Sequence, residues 1–227
     1  MPSTKIPWQA ACEKTLKDFT SADALRKWGW GHSVNGLQEP PFDYRYEHTL
    51  AVVKLGAWLA PLVNADTEIL ICAAWLHDCR KRLGSGREND HIDNHAAEGA
   101  DAVDGILYAT DFPPHKIPMV RHAILHHVGR SLAAPLDPLE TACLWDIDKL
   151  SKLGAAGLVH FIGINPAFQP LTTSEVLEKG EKWLEVARQI ATYMNTAPAK
   201  AEATARVEFL QFYYKRLRDE WAYTKSQ

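Results

Sequence analysis

The sequence predicts an all-α protein, and three observations carry that expectation. Apolar residues recur at helical spacing along most of the 227 residues, strand-like alternation is scarce, and the polar breaks between periodic stretches are short. This length suits one well-filled core, so a single domain is expected over 1–227. Its core is expected at about 43–160, with a C-terminal helical cover at about 170–225.

A first helix is expected over 5–20, ended by Thr20-Ser21 or continued by the next turn, followed by a polar loop from Gly29 to Pro41. Asp43 reads as the N-cap of a second helix that runs to Leu62. A third begins near Asp66, with Thr67 and Glu68 in its first turn, and ends around His77-Asp78. A cationic, Gly-containing loop follows from Arg80 to Arg87. Asp93 or Asn94 reads as the cap of a fourth helix carrying His95, Glu98, Val103 and Leu107. Pro113-Pro114 interrupts, and further helices are expected over His115–Val128 and Leu136–Leu150. Gly154, Gly157 and Gly163 read as a short, closely packed segment, and Pro166 and Pro170 as a loop. Two long helices close the chain, about Ser174–Met194 and Ala199–Trp221. The last carries Val207, Leu210, Tyr214, Leu217 and Trp221 at alternating spacings of three and four, a packing stripe that leaves room for a homodimer.

Composition removes several function classes. Apolar residues make up 46% and charged residues 23%, as in ordinary globular proteins. A net charge of −3 and a pI near 6.4 give no basic footprint for nucleic acid. No apolar run is long enough to cross a bilayer, so no membrane partner is expected. The first ten residues lack the pattern of a signal peptide. Cys12, Cys72, Cys79 and Cys143 are scattered, with no C-x-x-C pair, which reads as reduced thiols in a cytoplasmic protein.

The chemistry lies in His and Asp residues at the ends of apolar helical stretches. His48 precedes Val52, Leu55 and Leu59 at i+4, i+7 and i+11, which places its imidazole on a buried stripe. His77-Asp78 continues the face of Leu70, Ala73 and Ala74, and Asp146 and Asp148 fall near the end of the sixth helix. His95 and His127 lie between them. Leaving a buried imidazole unpaired costs about 1–3 kcal/mol, and a metal ion satisfies several such groups at once. Imidazole and carboxylate ligands favour Mn, Fe, Co or Ni over Mg, whereas a structural zinc site would show thiolate pairs. Such an ion makes water nucleophilic near neutral pH and stabilises charge on a phosphate, so the chain reads as a metal-dependent hydrolase.

With His48, His77-Asp78 and Asp148 in this order, the chain resembles the HD superfamily of metal-dependent phosphohydrolases. The stretches Cys72-Ala73-Ala74-Trp75-Leu76-His77-Asp78-Cys79 and Trp145-Asp146-Ile147-Asp148-Lys149-Leu150 are similar to a subgroup of small stand-alone, mostly bacterial HD hydrolases. The resemblance implies an HD-domain helical bundle with additional C-terminal helices. It implies His48, His77, Asp78 and Asp148 as ligands of one divalent ion, because the family's distant Asp precedes a basic and then an apolar residue, as in Asp148-Lys149-Leu150. Asp146 then falls to orienting a ligand histidine. His95 and His127 resemble residues of members that hold a second metal, or act as proton donors. Lys81, in His-Asp-x-x-Lys spacing, Arg82 and Lys149 are the expected phosphate contacts, with Arg80 and Arg87 on the rim. The implied catalytic set is Asp78, Lys81, His95 and His127, acting on a phosphoester of a nucleotide or another small phosphorylated molecule. Two other readings use the same residues: a di-iron oxygenase with six His/Asp ligands, and a non-catalytic nucleotide- or metal-binding module.

Overall fold

The computed structural model describes residues 5–83 and 94–223. The expectations for Arg87 on the rim and Asp93 as a cap lie outside the described residues. Of the two expected outcomes at Thr20-Ser21, helix α1 (Trp8–Trp28) takes continuation. Those hydroxyls donate to Asp43 Oδ2, at 2.7 and 3.1 Å, instead of competing for their own backbone, and the helix continues to a left-handed Gly29. The expected loop then contains a two-stranded hairpin, β1 (His32–Val34) and β2 (Leu37–Glu39). Asn35 and Gly36 turn it with φ of 49° and 81°, the left-handed pair a tight hairpin requires.

The caps on α2 (Tyr44–Val63) and α3 (Thr67–Leu76) are as expected. Asp43 accepts from the Tyr46 amide, and Asp66 from the Glu68 and Ile69 amides. Every residue from Ile69 to Leu76 is buried, and α3 packs against α1, α2, α5 and α6. Helices α4 (His95–Leu107), α5 (Ile117–His126) and α6 (Leu139–Leu150) complete the core, with Glu140 to Leu150 all buried. All four cysteines are buried free thiols.

The glycine-marked segment is longer than expected, a 15-residue helix α7 (Gly154–Phe168) that takes in Pro166 of the expected loop. Its glycines permit close approach: Gly154 takes φ +71°, and a Cβ at Gly157 would lie 2.3 Å from the Lys152 carbonyl oxygen. Helix α8 (Thr173–Thr192) opens on a Thr172/Glu175 capping box. It packs on α9 (Ala197–Tyr223), which also contacts α6 and α7. The architecture is all-α but for the hairpin. Among the described residues no helix is long and apolar enough to cross a membrane.

Candidate metal centre

Three helices end at one point inside the core. His77 caps the C-terminus of α3, His127 caps that of α5, and Asp148 lies in the last turn of α6. Helix C-termini carry partial negative charge and unpaired carbonyls, so their convergence favours a cation. His48 enters from the second turn of α2, His95 from the first residue of α4, and Asp78 from the turn after α3. All six side chains are at most 4% exposed.

The histidines present their Nε2 atoms to the centre because their Nδ1 atoms are engaged elsewhere. His77 Nδ1 donates to the Ala74 carbonyl at 2.8 Å and His127 Nδ1 to the Ile124 carbonyl at 2.6 Å, each an otherwise orphaned carbonyl of a helix end. A carbonyl can only accept, so both Nε2 atoms are bare lone pairs. The Ser151 hydroxyl donates to the Asp148 carbonyl at 2.7 Å and accepts from His48 Nδ1 at 3.0 Å, which gives His48 the same tautomer. His48 and His77 Nε2 then face each other at 3.3 Å with no proton between them. Burial pushes their pKa values down to about 4 and about 3, so neither is protonated at neutral pH.

A divalent ion resolves that opposition, and the donor set fits one. Asp148 Oδ1 lies 3.1 Å from His48 Nε2 and 3.8 Å from His77 Nε2. Asp78 Oδ2 is 3.6 and 3.7 Å from the same two nitrogens. Ligand atoms sharing one ion at bonds of 2.0–2.2 Å sit about 3.0–3.6 Å apart, close to these separations. The other oxygen, Asp78 Oδ1, lies 3.4 Å from His95 Nε2 and 3.6 Å from His127 Nε2. The Asp78 carboxylate therefore faces two ligand groups, one with each oxygen. The Ser151 contact makes a direct prediction. Ser151→Ala is expected to weaken Mn(II) binding by about tenfold or more, measured calorimetrically, with the fold retained. Unchanged affinity would show that Ser151 does not set the His48 tautomer.

Four cations surround the two carboxylates. Arg45 Nη1 lies 3.2 Å from Asp78 Oδ2, and Lys81 Nζ 3.2 and 3.3 Å from its two oxygens. Lys149 and Lys152 contact Asp148 at 2.5 and 2.7 Å. Burial alone would raise both carboxylates. Lys81 and Arg45 hold Asp78 well below its ordinary value, and Lys149 and Lys152 do so for Asp148. Burial pushes Lys81 down to about 8 against the pull of Asp78, and also lowers Lys149. For Lys152 the attraction of Asp148 and Asp78 outweighs burial and raises it.

The structure thus brings together His48, His77, Asp78, Asp148, His95 and His127, with Lys81 and Lys149 beside them. It corrects three expectations. Asp146 orients no histidine; it accepts from Asn195 and Thr196, which precede α9. Arg82 is exposed and does not line the cavity over the centre, where Arg45 and Lys152 stand instead. Arg80 lies over the Phe19 ring. Sequence reasoning passes over Arg45 and Lys152, although each sits one helical turn from a ligand residue, Arg45 before His48 and Lys152 after Asp148. It also sets aside His160, which lines the cavity with Tyr44, whose ring stacks on His48.

Fold and cluster together define a helical protein with a buried His/Asp cluster suited to a divalent ion. Residues 45–153 match the family model of the HD domain. No curated protein sequence matches it. Among solved structures it is similar to a predicted HD superfamily hydrolase from an uncultured Thermotogales bacterium, with TM-score 0.59 and 20% identity over 95% of this chain and 94% of the other. Bacillus subtilis YpgQ, solved alone and in complex with ADP, aligns with TM-score 0.60 at 18% identity, covering 93% and 96%. An HD-superfamily hydrolase from Bacillus thuringiensis aligns with TM-score 0.57 at 20% identity, covering 95% and 98%. At these identities the likeness speaks for the fold.

Proposed function

We propose that the protein is a metal-dependent phosphohydrolase that uses water to cleave a phosphoester of a nucleotide or another small phosphorylated molecule. The observation that carries this reading is the Asp78 carboxylate, shared between two ligand groups and contacted by two largely buried cations, Arg45 and Lys81. Divalent ions held by His48, His77, Asp78 and Asp148, and by Asp78, His95 and His127, would supply Lewis-acid charge and lower the pKa of water. Arg45, Lys81, Lys149 and Lys152 carry four positive charges against the two of Asp78 and Asp148. A buried excess of this sign is stabilised by an anion, and a phosphate accepts hydrogen bonds from all four. A cavity of about 960 Å³ opens over the centre and gives such a substrate its place. Where only one ion is held, His95 and His127 are the groups placed to protonate the leaving oxygen, His127 only in its imidazolium form because its neutral Nε2 carries no proton. The ADP complex of Bacillus subtilis YpgQ, which shares the fold, supports a phosphate-bearing ligand here.

The test is phosphate release from a panel of phosphomonoesters and nucleotides, with the protein stripped by chelator and reloaded with Mn, Co, Ni, Fe or Mg. Turnover is expected only in the reloaded protein, with the imidazole-favoured ions ahead of Mg. Bound nucleotide without product would replace the reading with that of a binding module. The six-ligand cluster also favours one second reading, a di-iron oxygenase, whose mark would be iron-dependent oxygen consumption without phosphate release.

A further inference from the structure

We infer that the substrate's carbon skeleton is apolar, an alkyl or aryl group seated between α7, α8 and α9 while its phosphate lies at the metal centre; this rests on the phosphohydrolase reading above. The cavity that begins at His48 and Asp148 continues into the C-terminal cover. There its wall is Leu158 and Ile164 of α7, Trp183 and Val186 of α8, and Leu210 and Tyr214 of α9. The seam of that cover closes tightly at one edge of this wall. At Gly180, α8 lies so near α9 that a Cβ would stand 2.1 Å from the Tyr214 ring. Protein interiors pack like organic crystals, so an apolar-walled opening left beside a close-packed seam, and continuous with a charged centre, is a binding volume for an amphipathic molecule.

The lining also argues against a nucleobase as the occupant. Among the described residues no Asn, Gln or Glu side chain lines the cavity. The apolar wall offers one hydroxyl, that of Tyr214, and one indole N–H, that of Trp183, among aliphatic groups. A base would bury several edge donors and acceptors here without partners, each at a cost of about 1–3 kcal/mol, whereas an alkyl or aryl group has none to satisfy. The exposed Lys179 and Lys182 on the same stretch of α8 keep the opening polar, and Lys182 is already paired with Glu178.

The experiment titrates the Mn(II)-loaded protein with n-alkylphosphonates from methyl to octyl by calorimetry, with adenosine 5′-monophosphate alongside. Affinity is expected to rise about three- to fourfold per methylene until the chamber is filled. The octyl-to-methyl affinity ratio is expected to fall at least tenfold in Trp183→Ala and in Val186→Asn, each checked for a native melting transition. Equal affinity along the series overturns the inference, as does a ratio that both substitutions leave intact. Hydrolysis is read separately on the matching alkyl phosphates. Chain-length-dependent binding with no phosphate released would overturn the phosphohydrolase reading and leave the apolar site standing.

Discussion

Asp78→Ala is expected to abolish metal binding at both ligand groups together and to lower phosphoester turnover by roughly a thousandfold or more. The reason is geometric. Asp78 Oδ2 faces His48 and His77, and Oδ1 faces His95 and His127, so one truncation takes a ligand from each group. It also removes the anion that Arg45 and Lys81 contact, leaving two largely buried cations opposed only by Asp148. His95→Ala, by contrast, removes a ligand from one group only and is expected to leave one ion bound. Elemental analysis of the purified variants, with circular dichroism to confirm folding, checks both. An Asp78→Ala protein that keeps its metal and its turnover would contradict the assignment of the shared carboxylate.

The second large effect is on stability. Asp146 is fully buried and accepts four hydrogen bonds, from the Asn195 amide and side chain at 2.8 and 2.9 Å and from the Thr196 amide and hydroxyl at 2.8 Å each. These bonds tie the junction between α8 and α9 to α6. Asn195 Oδ1 in turn accepts from the Leu136 amide, so the same junction anchors the approach to α6. Asp146→Ala leaves these donors without their acceptor and is expected to cost about 3–5 kcal/mol, lowering Tm by about 10 °C. Denaturant and thermal unfolding measure it. A loss below about 1 kcal/mol would show that water or a neighbouring group replaces the carboxylate.

The clustered His and Asp residues are legible in the sequence because each marks a physical boundary. His48 breaks an apolar stripe, and His77-Asp78 and Asp148 stand where buried helices end. The two aspartates near the end of α6 are harder to separate, since both are buried and only their partners differ. One faces imidazoles and lysines; the other serves a loop 49 residues away, a contact that local pattern cannot show. The cations are misassigned for a related reason. The run from Arg80 to Arg87 draws attention by density, whereas Arg45 and Lys152 matter through helical phase, which brings them onto the ligand face. The hairpin at 32–39 does have a local signal, Asn35-Gly36, hidden in a segment read as loop because its strands are only three residues long. In α7 the close packing read from the glycines is against Lys152 and Arg206, the latter distant enough along the chain that the helix length is not visible in the local pattern.

The measurement that tests the central claim most directly is hydrolysis of a phosphomonoester by the Mn(II)-loaded protein in ¹⁸O-water under an oxygen-free atmosphere. Mass spectrometry of the products should find one ¹⁸O in the released phosphate and none in the alcohol, with no turnover after chelation. Label in the alcohol, or activity that appears only when dioxygen is admitted, would contradict attack of water on phosphorus at this centre.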